Sequence, residues 1–81
     1  MFQQDGIEVV SPFDHGLRVN LRCNQFPDVV VTYQFNPETK KVFVFGSVGR
    51  SQVTSHWKNR MHKKAAAILH KRLLPPRRSG K

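Results

Sequence analysis

Between Ser51 and Leu74 the chain carries Lys58, Arg60, Lys63, Lys64, Lys71 and Arg72 and no carboxylate at all. Like charges three or four residues apart on a helix repel by roughly a few tenths of a kcal/mol, and ordinary solvated helices relieve this by mixing signs. A stretch that keeps one sign is suited to an anion outside itself, and the phosphate backbone of a nucleic acid is such an anion. Arg50 just before the stretch and Arg77 and Arg78 just after it extend the set of candidate phosphate contacts. Arg18 and Arg22, with Asn20 between them, form a second group whose side chains are of the types that hydrogen-bond base edges.

Other chemistries find less support. His56, His62 and His70 lie in the same basic stretch, but their spacing is not the i, i+4 pair of a helical metal site, so no metal is expected. Cys23 is the only cysteine, which excludes an internal disulfide and a CxxC zinc site, and it is expected as a small buried apolar group. The acids are scattered and form no pair for acid–base work. A ribonuclease acting without carboxylates would draw on His62, Arg60 and Tyr33. Nothing in their spacing singles them out, and neither an enzyme nor a cofactor is expected. Gly46 to Ser51, with two glycines and Arg50 at the expected helix start, has the composition of a turn whose free amides hold an anion, although the P-loop pattern is absent.

The 81 residues are enough for one domain, and cores of this size often gain from a partner subunit, so a homodimer is a candidate state. The formal charge of +9 is divided unevenly. Residues 1–39 hold all 5 acids (Asp5, Glu8, Asp14, Asp28, Glu38) and two arginines, net −3, while residues 40–81 hold the other twelve of the 14 Lys and Arg, net +12. No apolar run approaches the roughly 20 residues that span a bilayer, and MFQQDGIEVV lacks the basic and apolar regions of a secretion signal. A cytoplasmic location is expected, with entry to the nucleus open to a eukaryotic protein.

The elements that must position these groups follow from periodicity. Ile7 to Val10 is a short apolar run suited to a first strand. From Leu17 to Cys23 apolar residues alternate with Arg18, Asn20 and Arg22, predicting a half-buried strand with its arginines turned from the core. Val29 to Phe35 resumes the alternation with Val29, Val31, Tyr33 and Phe35 on the core face. Asn36-Pro37-Glu38-Thr39 is a turn, and Val42 to Phe45 returns. VFVF is ambiguous, because both of its faces are apolar. The larger buried area of aromatic rings favours Phe43 and Phe45 packing under the helix beside Trp57. Ser51 to Leu74 is then one amphipathic helix, with Val53, Trp57, Met61, Ala65, Ile68 and Leu69 on its packed stripe, stopped by Pro75-Pro76.

The expected fold is therefore α+β: a three- to four-stranded antiparallel sheet packed against one long C-terminal helix, with residues 1–74 as the domain and 75–81 as a flexible basic tail. Three strands and a helix resemble the layout of plant ethylene-response DNA-binding domains and of the arm-binding domains of some phage integrases. Gly49-Arg50-Ser51 with Lys63 to Ala67 resembles the last segment of double-stranded-RNA-binding domains, whose lysine pair opens the helix where here it stands mid-helix. The likeness is one of architecture. The expected function is binding of nucleic acid, DNA or RNA, with phosphates on the helix and bases on the sheet. The alternative is an interaction or inhibitor protein that docks the basic face on an acidic protein.

Overall fold

In the stretch Arg18-Val19-Asn20-Leu21-Arg22-Cys23 the apolar members Val19, Leu21 and Cys23 are each 0% exposed, so the two-residue period does place one face of the strand in the core. A computed structural model describes residues 3–10 and 16–73 of the chain, so Arg77, Arg78 and the rest of the expected tail lie outside the described residues. The elements run β1 (Ile7–Val9), β2 (Arg18–Cys23), β3 (Val30–Asn36), β4 (Lys41–Val48) and α1 (Ser55–Leu73). The strands form one antiparallel sheet in the order β1-β2-β3-β4, with α1 laid across β2, β3 and β4.

Register is set by the buried side chains, because a slip of one residue would turn each of them to solvent. Val19 lies opposite Tyr33, and Tyr33 opposite Val44, so the largest fully buried side chain sits mid-sheet under the helix. Between β3 and β4 the Asn36 carboxamide accepts from the Glu38 amide at 2.8 Å, and Lys40 takes φ 61° to bring the chain into β4. The ladder between β3 and β4 shifts between Thr32 and Tyr33, which pair with Gly46 and Val44, leaving Phe45 as the extra residue of a bulge.

This register corrects the expectation for Phe43 and Phe45. Val42 and Val44 share the face of Tyr33 and Phe35, so the two phenylalanines emerge on the opposite face, 40% and 52% exposed. The burial gain of aromatic rings yields here to alternation, since the space under the helix is already taken by Tyr33, Met61 and Leu69. β4 is also an edge strand only partly roofed by α1, and Val44 on the helix side remains 53% exposed.

The helix starts four residues later than its apolar period suggests. Asp28 holds the chain back: its Oδ2 accepts from the amides of Ser51 at 2.9 Å and Arg50 at 3.3 Å, tying this segment to the start of β3. The first helical bond, from the Lys58 amide to the Thr54 carbonyl at 2.9 Å, makes Thr54 the N-cap, a position that threonine suits. Val53 still joins the core, but from the connecting segment. Met61, Ala65 and Leu69 are buried at i, i+4 spacing, with Trp57 and Ile68 packed at the flank.

Gly49 makes the β4–α1 connection possible. It has φ 135°, and a Cβ there would stand 2.2 Å from the Asp28 carbonyl oxygen and 2.7 Å from Val29 Cα, both backbone atoms. Gly49→Ala should therefore lower stability by at least about 2 kcal/mol in urea unfolding, through strain and backbone displacement together. Gly46→Ala, where an added Cβ meets nothing within 4 Å, should cost no more than about 0.5 kcal/mol. Equal effects at the two sites would contradict this account of the connection.

Candidate nucleic-acid interface

The described acids are spent inside the fold or in its turns. Asp5 Oδ2 accepts from Lys64 Nζ at 2.9 Å, its Oδ1 accepts from the Ile7 amide at 3.0 Å, and its backbone carbonyl takes a hydrogen bond from Arg60 Nη2 at 3.0 Å. Partial desolvation pushes the Asp5 carboxyl up, but the bonds from Lys64 and Ile7 and the charges of Lys64 and Arg60 outweigh it, and the net shift is downward. Glu8 forms an ion pair with Arg22 across β1 and β2. Asp28 binds the Arg50 and Ser51 amides, and Glu38 sits in the exposed turn.

Two of the expected phosphate contacts are thereby changed. Lys64 is an anchor between helix and first strand, and Arg60 both bonds to Asp5 and lies 4.5 Å over the Trp57 ring. Helical spacing alone left them without a counterion; the counterion stands more than fifty residues earlier in the chain. Arg72 also has structural partners, donating from Nη1 to the carbonyls of Arg18 at 3.2 Å and Gly16 at 3.4 Å, which ties the end of α1 to the start of β2. Lys58, Lys63 and Lys71 are exposed, and among the described residues no side-chain hydrogen bond or ion pair engages them.

Arg50 is exposed but does not stand at the helix start, and the amides beside it are not free to hold an outside anion. The turn does bind a carboxylate, and that carboxylate is the chain's own Asp28. Bonds from the Ser51 amide and hydroxyl, and from the Arg50 amide, hold the Asp28 carboxyl below the usual range.

The helix and the arginine-bearing sheet face lie on opposite sides of the molecule. Lys63 and Lys71 point away from the stripe of Met61, Ala65 and Leu69, whereas Arg18, Asn20 and Arg22 project from the sheet face that α1 does not touch. One duplex lying flat on the helix would not also present its bases to the sheet. On the open face Arg18 Nε donates to Gln34 Oε1 at 2.8 Å and its guanidinium lies 3.9 Å over the Phe45 ring. Asn20, 5% exposed, accepts a hydrogen bond from the Thr32 hydroxyl. The Arg18–Phe45 stack was hidden from sequence reasoning because VFVF had two equivalent faces.

A cleft of about 560 Å³ opens between β4 and the first half of α1, lined by Val31, Tyr33, Val44, Lys58 and His62 among others. The His62 ring meets Tyr33 edge-on at 5.7 Å, and His70 meets Phe35 in the same way at 5.4 Å. Burial, with a smaller contribution from Cys23, pushes the Tyr33 hydroxyl up to about 12, so it remains a neutral donor. Arg60 is on the other flank of the helix, beside Asp5 and Trp57, so Tyr33, His62 and Arg60 do not converge as a ribonuclease would need. Among the described residues no three His, Cys, Asp or Glu side chains gather as for a metal, and no helix is long and apolar enough to cross a membrane. No family model, curated protein or solved structure matches the chain.

The lowered pKa of Asp28 has a signed consequence. A depressed carboxyl contributes stability above its unfolded value, near 3.8, and loses that contribution as the pH falls through its lower folded value. Asp28→Ala should thus melt below the parent at neutral pH, and the gap should close as the pH drops below that range. A gap that stays constant on acidification would show that the carboxylate charge does not hold the connection.

Proposed function

We propose that this protein binds nucleic acid, DNA or RNA, through phosphate contacts on the outer face of α1. The observation that carries the reading is electrostatic. Asp5, Glu8 and Asp28 are engaged within the fold, while α1 contains no acid and leaves Lys63 and Lys71 exposed on its outer side, with Lys58 exposed at the mouth of the cleft beside β4. Such a face concentrates positive potential, and a polyanion gains affinity for it because the lysines displace condensed counterions into bulk solvent. Lys63 and Lys71 lie eight residues apart, close to two helical turns on one side, roughly 12 Å along the axis. Arg60 flanks this row and adds charge while held against Trp57. In this reading the protein is a binding module and not an enzyme.

Replacing Lys63 and Lys71 together by Gln isolates the claim, because both are exposed and neither supports the fold. The log-log dependence of duplex-DNA affinity on salt should flatten by about 1.8, at about 0.9 for each phosphate no longer neutralised, with similar weakening on unrelated sequences and an unchanged melting temperature. If the double variant binds every nucleic acid as the parent does, the helix is not the site, and an acidic protein becomes the partner to seek for this face.

A further inference from the structure

We infer that the open face of the sheet is a second, separate nucleic-acid surface, a stacking platform for unpaired bases built from Phe43, Phe45 and Arg18. The inference rests on the nucleic-acid reading above and narrows it to single-stranded segments at this site. Phe43 and Phe45 are 40% and 52% exposed on one side of β4, a large aromatic exposure beside the twelve buried apolar residues among those described. Arg18 Cζ lies over the Phe45 ring, 3.9 Å from its centroid, and the side chain is steadied by its 2.8 Å bond to Gln34, which itself pairs with Phe43 in the ladder. A base can therefore stack on the Phe43 ring, and another on the outer face of the Arg18 guanidinium, both surfaces that bases use in single strands. The Gln34 carboxamide gives its oxygen to Arg18, which leaves its NH₂ as a donor for a base edge.

Spacing selects an unpaired strand. Two residues along a strand advance about 6.6 Å, roughly twice the 3.4 Å between stacked bases of a duplex, so neighbouring bases reach the two positions only when parted from each other. In a duplex the base faces are covered and only edges are offered. Charge selects the same partner. Lys41 at the start of β4 and Arg50 just past its end, both exposed, bracket the aromatic pair with positive charge for the flanking phosphates. A second copy of the chain fits less well, because antiparallel pairing of β4 with itself would bring Lys41 of one copy towards Arg50 of the other, with like charges in apposition.

The test titrates a short oligothymidylate and a mixed-sequence duplex into the parent, into Phe43→Ala/Phe45→Ala and into Lys63→Gln/Lys71→Gln, with sedimentation of each protein alone. Loss of stacking should weaken oligothymidylate binding by about 5- to 150-fold for each ring removed, while duplex affinity and the salt slope stay as in the parent. The lysine variant should instead lose salt dependence on the duplex. Oligothymidylate binding unchanged in the phenylalanine variant would overturn the platform and leave the helix reading standing. So would a parent that binds duplex but not oligothymidylate, and so would a parent dimer that the phenylalanine substitutions turn into a monomer with its nucleic-acid affinity intact. A parent that binds neither ligand would overturn both claims.

Discussion

A single 19-residue helix can roof only one face of a four-stranded sheet, and most other features of the molecule follow from which face it takes. Tyr33 in β3 lies at the centre of that face, with Val19 and Val44 beside it in the ladder and Met61, Ala65 and Leu69 descending from the helix. With these places filled at native packing density, every side chain of opposite parity along the strands must point away from α1. Glu8, Arg18, Asn20, Arg22, Val30, Thr32, Gln34, Phe43, Phe45 and Val48 belong to that remainder, a mixed face on which Asn20 is buried while Phe43, Phe45 and Val48 are exposed.

The same layering sorts the charges. Among the described residues, carboxylates from the first half of the chain reach across to the second half at two places: Asp5 at the flank of α1, and Asp28 at the connection that leads into it. Each such bond holds a long-range junction in place, and each removes an acid from the general surface. The outer side of α1 is out of reach of all of them among the described residues, so no carboxylate stands beside Lys63 or Lys71 there. Lys71 and Arg72 in the last turn are also where cations are favoured by the helix dipole, so the basic character costs the helix little at that end.

Periodicity made the fold legible. The alternation through Val19, Leu21 and Cys23, the stripe of Met61, Ala65 and Leu69, and the breaks at Pro27 and Asn36 together specified the antiparallel sheet and its helix. Three features were not local enough to be read. The helix begins at Ser55 because Asp28 holds residues 50 and 51, a contact between segments more than twenty residues apart. Lys64 and Arg60 meet Asp5 only once β1 lies beside α1. The faces of VFVF were decided by the register of β4 against β3, with a bulge at Phe45 that no residue type announces. For the candidate interface, charge segregation was visible from composition, but the placement of helix and sheet-borne arginines on opposite sides needed the third dimension.

The central claim is that nucleic acid lies on the outer side of α1. Nuclear magnetic resonance of isotope-labelled protein, titrated with duplex at moderate salt, tests it most directly through the backbone and lysine side-chain signals of residues 55–73. The account predicts perturbations at Lys63 and Lys71, extending to Arg60, with Met61, Ala65 and Leu69 little changed. A spectrum in which duplex leaves the helix signals unmoved, or shifts only those of the sheet, would contradict it.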